Sequence, residues 1–247
     1  MTFLFVVDTE TTGLSAETAQ LCEISGTLYR IGLDKERTGA IASVSTLMPV
    51  KTDLLITNES EAINGITQGL TASVCGFAEA YGYHKHAVDL FVEMTNSADY
   101  VFAFNAEFDK AFLKTLIRTD NWICAMQDFD WGYPKKSHGN YKLIDLALWL
   151  GIGISTVHRA GDDVRLLVEC LNRCKGNLTD SIDRAIVRAN SPIFNVQAIV
   201  GYADRELAKT AGFSWNVDEK RWLKHVKECD FQEFVQTLNF EVEVKVF

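Results

Sequence analysis

Three runs of apolar and β-branched residues in the first fifty positions predict three strands. The first run, Phe3–Val7, is continuously apolar, which is typical of a buried strand. The second and third runs, Leu21–Ile31 and Ala40–Val50, alternate apolar and polar residues, and a charged turn over 32–39 joins them. We therefore expect an antiparallel hairpin that follows a buried first strand.

Apolar residues at helical spacing dominate the middle of the chain, where one more strand interrupts them. The pattern predicts, in chain order, a short helix over 58–67 that ends at a glycine, a helix over 77–94, a strand over 99–104, and helices over 105–117, 141–150 and 162–174. Strands followed by helices and a returning strand indicate an α/β sheet with helices packed on it.

A polar segment separates the last fifty residues from the rest of the chain. It ends in Ser191-Pro192, a sequence that stops a helix and marks a boundary. Beyond it the chain shows its own strand, helix and strand pattern, and the strict alternation of Phe240–Phe247 predicts a half-buried strand. We predict a domain over 1–178, a linker or short helix over 179–195, and a small α+β module over 196–247.

Composition narrows the class of protein. The chain has 247 residues and is 47% hydrophobic, which is enough for one large domain plus a small appendage. The net charge of -9 argues against holding nucleic acid by bulk electrostatics, although local Lys and Arg clusters can still contact phosphates. The six cysteines show no CxxC pair, and no segment reaches membrane length. We expect a cytoplasmic protein with reduced thiols and no membrane contact.

Two carboxylates, Asp8 and Glu10, lie at the end of the first predicted strand. Residues i and i+2 of an extended chain share a face, so both project the same way while Thr9 points back. Two adjacent like charges are costly, and a bound divalent cation is the usual remedy. Gly13, which can adopt a positive φ, then allows a sharp turn. The alternative is an acidic strand end that runs into a polar turn.

Further polar residues follow at spacings that suit a hydrolytic site. Asp109 follows Asn105 by four, so the two share one helix face. His158 precedes Asp163 by five, which places an imidazole on a loop next to a carboxylate in the first turn of a helix. Carboxylates can hold two divalent ions while an imidazole removes a proton from the attacking water.

Each of these residues also has a simpler structural explanation. An aspartate in the first turn of a helix interacts favourably with the helix dipole, a loop histidine is commonly a surface residue, and Asn105 is a natural helix cap. The conjunction of all of them in this order favours the catalytic interpretation.

Three segments resemble the motifs of the DnaQ-like 3'-to-5' exonucleases with the DEDDh signature: VDTETTGL at 7–14, NAEFD at 105–109 and HRAGDD at 158–163. INGIT at 63–67 resembles the substrate loop of that family, and Tyr141–Leu143 resembles its approach to the last motif. The resemblance covers residues 3–175. It implies an RNase H-like fold, a mixed five-stranded sheet flanked by helices, and metal-dependent release of nucleoside 5'-monophosphates from a 3' end.

The resemblance also implies roles for individual residues. Asp8, Glu10, Asp109 and Asp163 match the carboxylates that hold two Mg²⁺ or Mn²⁺ ions, and His158 matches the general base. Leu14 and the 63–67 loop are expected to wedge and stack on the terminal bases. Phe108 suits a core position equally well. The expected substrate contacts are Thr9, Thr11, Gly13, Leu14, Ile63, Gly65, Ile66, Thr67, Asn105 and Phe108.

Two other carboxylates compete with Asp163. Tyr141 and Asp145 have the spacing of a sister class that uses tyrosine, but a complete histidine motif follows and the stretch is a packed helix. Asp162 adjoins Asp163, and the H-x4-D spacing of the family selects Asp163.

The C-terminal segment 202–222 resembles a small module with an AK-x-x-G-x-x-W core that is appended to various nucleic-acid enzymes. One interpretation is that cationic residues form an edge that contacts a phosphate backbone, or that the module pairs subunits. The other is that Trp215 and Trp222 form a minidomain core with solvated charges around it. The cationic residues are Arg205, Lys209, Lys220, Arg221 and Lys224.

These observations and the family resemblance together predict a metal-dependent 3'-to-5' exonuclease that acts on DNA, and the resemblance implies a homodimer. The first alternative is the same chemistry on RNA ends. The second is a non-catalytic interaction subunit that uses the exonuclease fold, although binding alone does not require a complete set of metal carboxylates.

Overall fold

The computed structural model describes residues 1–32, 37–50, 56–81, 83–134, 141–155 and 158–245. These residues divide into two compact units. The first contains Met1–Tyr133 and Lys142–Ile182, and the second contains Pro134–Tyr141 and Asp183–Phe247. None of the helices in the described ranges is both long and apolar enough to cross a membrane.

The first unit is built on a five-stranded mixed sheet with the strand order β3-β2-β1-β4-β5. Strands β1 (Thr2–Thr11), β2 (Leu21–Ile31) and β3 (Gly39–Leu47) form the predicted antiparallel meander. Strands β4 (Tyr100–Ala103) and β5 (Trp122–Cys124) run parallel to β1. The predicted fold class is therefore confirmed, although the sequence pattern did not reveal β5.

The helices described between residues 58 and 189 are α1 (Asn58–Asn64), α2 (Gln68–Tyr81), α3 (Tyr83–Asn96), α4 (Ala106–Leu113), α5 (Leu143–Trp149), α6 (Ala160–Asn172) and α7 (Leu178–Ala189). Of these, α3, α4 and α6 pack on the strands of the sheet, whereas α7 begins in the first unit and ends in the second. The predicted helix over 77–94 covers the end of α2 and most of α3, and residue 82 between them lies outside the described residues. The charged turn 32–39 lies mostly outside the described residues.

Tight packing between β1 and β2 fixes the sheet below the carboxylates. The ring of Phe5 on β1 covers Gly26 on β2 and meets Phe91 of α3 edge to face, with ring centroids 4.9 Å apart. A Cβ atom at position 26 would lie 2.2 Å from the Phe5 ring, closer than any van der Waals contact allows. Glycine at this position therefore permits the close approach of the Phe5 ring.

The second unit has a four-stranded antiparallel sheet with the order β7-β8-β6-β9. Its elements are β6 (Ile193–Ile199), a 3-10 helix (Tyr202–Asp204), α8 (Arg205–Thr210), β7 (Ser214–Asn216), β8 (Arg221–Lys227), α9 (Glu228–Gln236) and β9 (Glu241–Lys245). Buried Val196, Ala208 and Phe213 belong to its core. The segment 179–195, predicted as a linker or short helix, contains most of α7 and the start of β6.

Candidate active site

The end of β1 places carboxylates on one face of the sheet. In the antiparallel pairing of β1 with β2, Asp8 lies opposite Ser25 and Glu10 lies opposite Glu23. The parallel pairing of β1 with β4 reaches Val7, and β4 leads almost directly into α4. The first turns of α4 and α6 bring the other two predicted carboxylates to this end of the sheet.

Asp8, Glu10 and Asp163 form a carboxylate cluster in which ligand oxygens lie within 4.8 Å of one another. Burial and the negative charges of Asp109, Asp163 and Glu10 raise the pKa of Asp8 well above its usual value. Burial is also the main reason that the pKa of Glu10 rises to about 7 and that the pKa of Asp163 is raised. The cluster has the hard oxygen donors and the uncompensated charge that suit Mg²⁺ or Mn²⁺.

Asp109 is held beside the carboxylate cluster and is not a member of it. Its Oδ1 accepts a hydrogen bond of 2.9 Å from the hydroxyl of Thr9, and burial raises its pKa to about 7. Its charge also raises the pKa of Asp8. The structure therefore brings three of the four predicted carboxylates together and holds the fourth, through its hydrogen bond with Thr9, near enough to Asp8 for its charge to act on it.

His158 lies next to Asp163 at the start of α6. Its backbone N–H donates to Asp163 Oδ2 at 3.1 Å, and its φ of 62° places it in the left-handed region. The side chain is exposed, and the charge of the imidazole lowers the pKa of Asp163 and partly offsets the effect of burial. An accessible imidazole therefore stands beside the carboxylate cluster.

Glu23 is a residue of this site that the sequence analysis missed. Its buried carboxylate accepts two hydrogen bonds from the Arg159 guanidinium, at 2.7 and 3.0 Å, and a third of 3.0 Å from the backbone N–H of Ala160. Glu23 on β2 therefore caps the N-terminus of α6 and fixes the residue that follows His158. The sequence contained a signal for this role, because Glu23 interrupts a strand predicted to be buried and a buried carboxylate requires a partner.

Asn64 is a second missed residue, although it lies within the INGIT segment. Its buried side chain hydrogen-bonds Glu10, which lowers the pKa of that carboxyl group. Its Oδ1 accepts a hydrogen bond of 3.0 Å from the backbone N–H of Ile66. The end of α1 is therefore tied to the carboxylate cluster.

Two of the predicted substrate contacts are prominently exposed. Leu14 is 90% exposed and Ile63 is 58% exposed, so both offer apolar surface to a ligand. Gly65 ends α1 with a φ of 68°, and the hydroxyl of Thr67 accepts a hydrogen bond from the backbone N–H of Leu70. These two residues shape the loop through their backbone and cap roles.

Ile66, another of the expected substrate contacts, has its side chain turned away from solvent. Ile66 is fully buried and packs with Cys22, Val50 and Ile56, so its role is to anchor the loop from below. A pattern of apolar residues in a loop does not reveal which of them face the core.

Some details of the turn and helix positions also differ from expectation. Gly13 does not adopt a positive φ, and the turn is instead closed by the hydroxyl of Thr11, which donates to the Gly13 carbonyl at 2.6 Å. Asn105 occupies the N-cap position of α4 but makes no side-chain cap hydrogen bond. The half-buried ring of Phe108 packs against Phe112, with centroids 5.0 Å apart.

The two competing carboxylates lie outside the carboxylate cluster. Asp145 accepts from the backbone N–H of Lys142 and so completes a cap at the start of α5. Among the described residues, the cluster contains Asp163 and not Asp162.

Comparison with known families assigns the first unit. A family model described as exonuclease matches residues 5–171, well over half of the chain. The chain therefore belongs to the DnaQ-like exonucleases, and it is a nuclease by family. Residues 194–244 match a domain of unknown function, which names no activity for the second unit.

Individual relatives are more distant. The DNA polymerase III subunit epsilon of Treponema pallidum (strain Nichols) is 28% identical over 188 residues, which cover 75% of this chain and 82% of that protein. Exonuclease I of E. coli, solved with a dT13 oligonucleotide, is 13% identical with a TM-score of 0.57, and the match covers 81% of this chain and 49% of that one. Exonuclease I of Methylocaldum szegediense is 15% identical with a TM-score of 0.55, over 83% and 49% of the two chains. This chain spans about half the length of these two structures, and the likeness to them shows the fold.

Proposed function

We propose that this protein is a metal-dependent 3'-to-5' exonuclease that removes nucleoside 5'-monophosphates from DNA. The observation that carries the proposal is the convergence of Asp8, Glu10 and Asp163, with the exposed imidazole of His158 beside them. The segments that supply these residues lie far apart along the chain, and a purely structural role explains no such convergence of like charges.

The residues that would hold two Mg²⁺ or Mn²⁺ ions are Asp8, Glu10 and Asp163, with Asp109 acting through water. When bound, such ions lower the pKa of a water molecule and stabilise the charge that develops on the leaving 3' oxygen. The oxygen ligands suit these ions, and the pKa values of Asp8 and Glu10 are raised first by burial and then by neighbouring carboxylates, whose repulsion a cation would relieve.

His158 would act as the general base. Its exposed imidazole accepts the proton of the attacking water on a ring nitrogen and passes it to solvent. The backbone hydrogen bond from His158 to Asp163 keeps the histidine close to the carboxylate cluster. Glu23 positions this segment through Arg159 and Ala160.

Leu14 and Ile63 would contact the terminal bases. Both are exposed apolar side chains on segments that also carry or contact the carboxylate cluster. Apolar contact and stacking with bases tolerate any sequence, as an exonuclease requires.

Two relatives of this chain favour DNA as the substrate in this proposal. The Treponema pallidum relative, which aligns with 75% of this chain, is a subunit of a DNA polymerase. The E. coli structure holds a DNA oligonucleotide. We also propose a cytoplasmic homodimer. The described cysteines are all free thiols, as expected in a reducing compartment.

The test uses matched DNA and RNA oligonucleotides incubated with the purified full chain in Mg²⁺, in Mn²⁺ and in EDTA. The proposal predicts release of nucleoside 5'-monophosphates from DNA, identified by chromatography, with no release in EDTA or with Asp8→Ala. Faster release from RNA would support the exoribonuclease alternative. A pure, folded protein that is inert toward both substrates would support the non-catalytic alternative.

A further inference from the structure

The second unit contains a pocket of about 560 Å³ that shares no residue with the candidate active site. Its volume lies within the range of about 300–1,000 Å³ that is typical of small-ligand sites. All of its lining residues belong to the second unit, and they are Gln197, Ala198, Val200, Gly201, Tyr202, Arg205, Glu206, Lys209, Trp215, Lys220, Arg221 and Trp222.

The charge of this pocket contrasts with the net charge of the chain, which is -9. Its described lining carries four cationic side chains, and Glu206 is the one carboxylate among them. Glu206 is shared between two cations at long range, 3.8 Å to Arg205 and 4.0 Å to Lys209, with all three side chains largely exposed. Exposed pairs of this kind neutralise little, so the pocket is locally positive.

Aromatic rings line the same pocket and remain accessible. Tyr202 is 83% exposed, and the Arg205 guanidinium, 4.2 Å from the ring centroid, supports one face. Trp215 is 48% exposed and meets Trp222 edge to face at 5.6 Å. Trp222 packs on the core cluster of the unit, whereas Trp215 is not part of that packing. The core interpretation of the tryptophans therefore holds for Trp222, and Trp215 is available to a ligand.

A buried acceptor in the pocket wall also lacks a donor. Within the described part of the chain, Gln197 Oε1 is buried and has no hydrogen-bond partner. A buried acceptor without a partner is costly, and because this oxygen is closed to solvent it is not a ligand contact in this conformation.

Lys224 does not belong to this surface, contrary to the expectation of a five-residue basic edge. Its ammonium donates to the Ala211 carbonyl at 2.7 Å and lies 4.4 Å from the ring centroid of Phe234. Burial lowers its pKa, which agrees with a structural role.

We propose that this pocket binds single-stranded nucleic acid. Tyr202 and Trp215 stack on bases, and the cations Arg205, Lys209, Lys220 and Arg221 contact phosphates. The exposed rings favour a single strand, because a duplex hides its base faces. The inference goes beyond the proposed nuclease activity, because binding at this pocket does not require hydrolysis.

The experiment measures fluorescence anisotropy of a labelled oligothymidylate titrated with the full chain in EDTA, where no hydrolysis occurs. Trp215→Ala is expected to weaken binding roughly 5- to 150-fold, the equivalent of one stacked base. Arg221→Glu is expected to weaken binding and to reduce the slope of log affinity against log salt by about 0.7 for each lost phosphate contact.

Lys85→Glu on α3 is the matched control, because it makes the same charge change on an exposed residue of the first unit. It should leave the affinity within about twofold of the parent. Tyr202→Ala separates a loss of binding from a loss of folding, because a side chain that is 83% exposed contributes little to the core. It should weaken binding while thermal unfolding stays unchanged.

Three results would overturn the proposal. The first is parental affinity in Trp215→Ala, Tyr202→Ala and Arg221→Glu. The second is equal affinity for a blunt duplex together with no effect of Trp215→Ala, which would indicate a backbone site. The third is binding of polyglutamate to this pocket, lost in Arg221→Glu, while oligothymidylate binds the parent and Arg221→Glu equally well. Because EDTA prevents turnover, none of these outcomes depends on whether the protein is an active nuclease.

Discussion

At Asp8, burial and the neighbouring carboxylates act in the same direction, and both favour the protonated form in the absence of metal. Burial likewise favours the protonated forms of Glu10, Asp109 and Asp163 and raises the pKa of each. Protons and divalent cations therefore compete for the same oxygens. The arrangement is unfavourable for an empty site and favourable for an occupied one.

The pH dependence of stability follows from the carboxylates at Glu10 and Asp109, whose pKa in the folded state is about 7. Unfolded carboxyl groups titrate near about 4, so the folded protein binds more protons between these values. The contribution to stability is fully present below about 4 and is lost as the pH rises through about 7. In EDTA, the Tm measured by thermal scanning should fall from pH 6 to pH 8, and saturating Mn²⁺ should raise it more at pH 8.

Asp8→Asn is the matched variant for this measurement. Removal of one charge relieves the repulsion, so its metal-free Tm at pH 8 should exceed that of the parent, by about 2–4 °C per kcal/mol relieved. Mn²⁺ should no longer raise its Tm appreciably. A lower metal-free Tm for Asp8→Asn, or a Mn²⁺ effect independent of pH, would contradict this account of the carboxylate cluster.

Glu23→Gln tests how the active-site segment is positioned. Glutamine keeps the shape but weakens the charge-assisted hydrogen bonds to Arg159 and to the N-terminus of α6. We expect kcat to fall about 10- to 100-fold and the half-saturating Mn²⁺ concentration to rise, as for other residues that orient metal ligands. Glu59→Gln, on the exposed first turn of α1, should change neither quantity. Parental kinetics in Glu23→Gln would rule out the positioning role.

At the scale of elements, the packing of β1 on β2 depends on the absence of a side chain at Gly26. Gly26→Ala would force the buried Phe5 ring to move and should destabilise the protein by about 1–3 kcal/mol in urea unfolding. Gly76→Ala on α2 is the control, since a Cβ atom there meets nothing within 4 Å and alanine favours a helix. Equal stability of the two variants would contradict this packing.

The sequence predicted those elements that have a long and regular pattern. The β1-β2-β3 meander and the short helix that ends at Gly65 are both present in the structure. Strand β5 was missed because three residues, Trp122–Cys124, are too few to show alternation.

The site was predictable only where its residues form local motifs. Asp8 and Glu10 are close in sequence, as are His158 and Asp163, so their spacing indicates that each pair belongs to one site. Glu23 and Arg159 are 136 positions apart, so only the folded chain reveals their pairing. The burial of Ile66 likewise depends on Cys22 and Val50, which no local pattern connects to it.

At the scale of the whole molecule, the chain has a net negative charge and its second unit carries a locally positive pocket, so we expect two kinds of interaction with nucleic acid. The carboxylates of the first unit require metal to approach a phosphate, whereas the pocket of the second unit offers cations directly. Nucleic-acid binding by the pocket should therefore persist in EDTA and weaken steeply with salt.

The oligomeric state is a prediction at this scale. We expect a homodimer, so light scattering coupled to gel filtration should give a mass near twice 27.7 kDa at micromolar concentration. The control is the same measurement across a dilution series, because dissociation of a dimer depends on concentration. A mass equal to that of one chain at every concentration would contradict the prediction.

The central claim is that the carboxylate cluster and His158 hydrolyse a strand from its 3' end. The most direct measurement compares one DNA strand labelled at the 5' end with the same strand labelled at the 3' end, in Mn²⁺, on a denaturing gel. The account predicts a descending ladder from the 5' label, immediate mononucleotide from the 3' label, and rates about 10²- to 10⁴-fold lower for His158→Ala. Immediate mononucleotide from the 5' label, or an undiminished rate in His158→Ala, would contradict it.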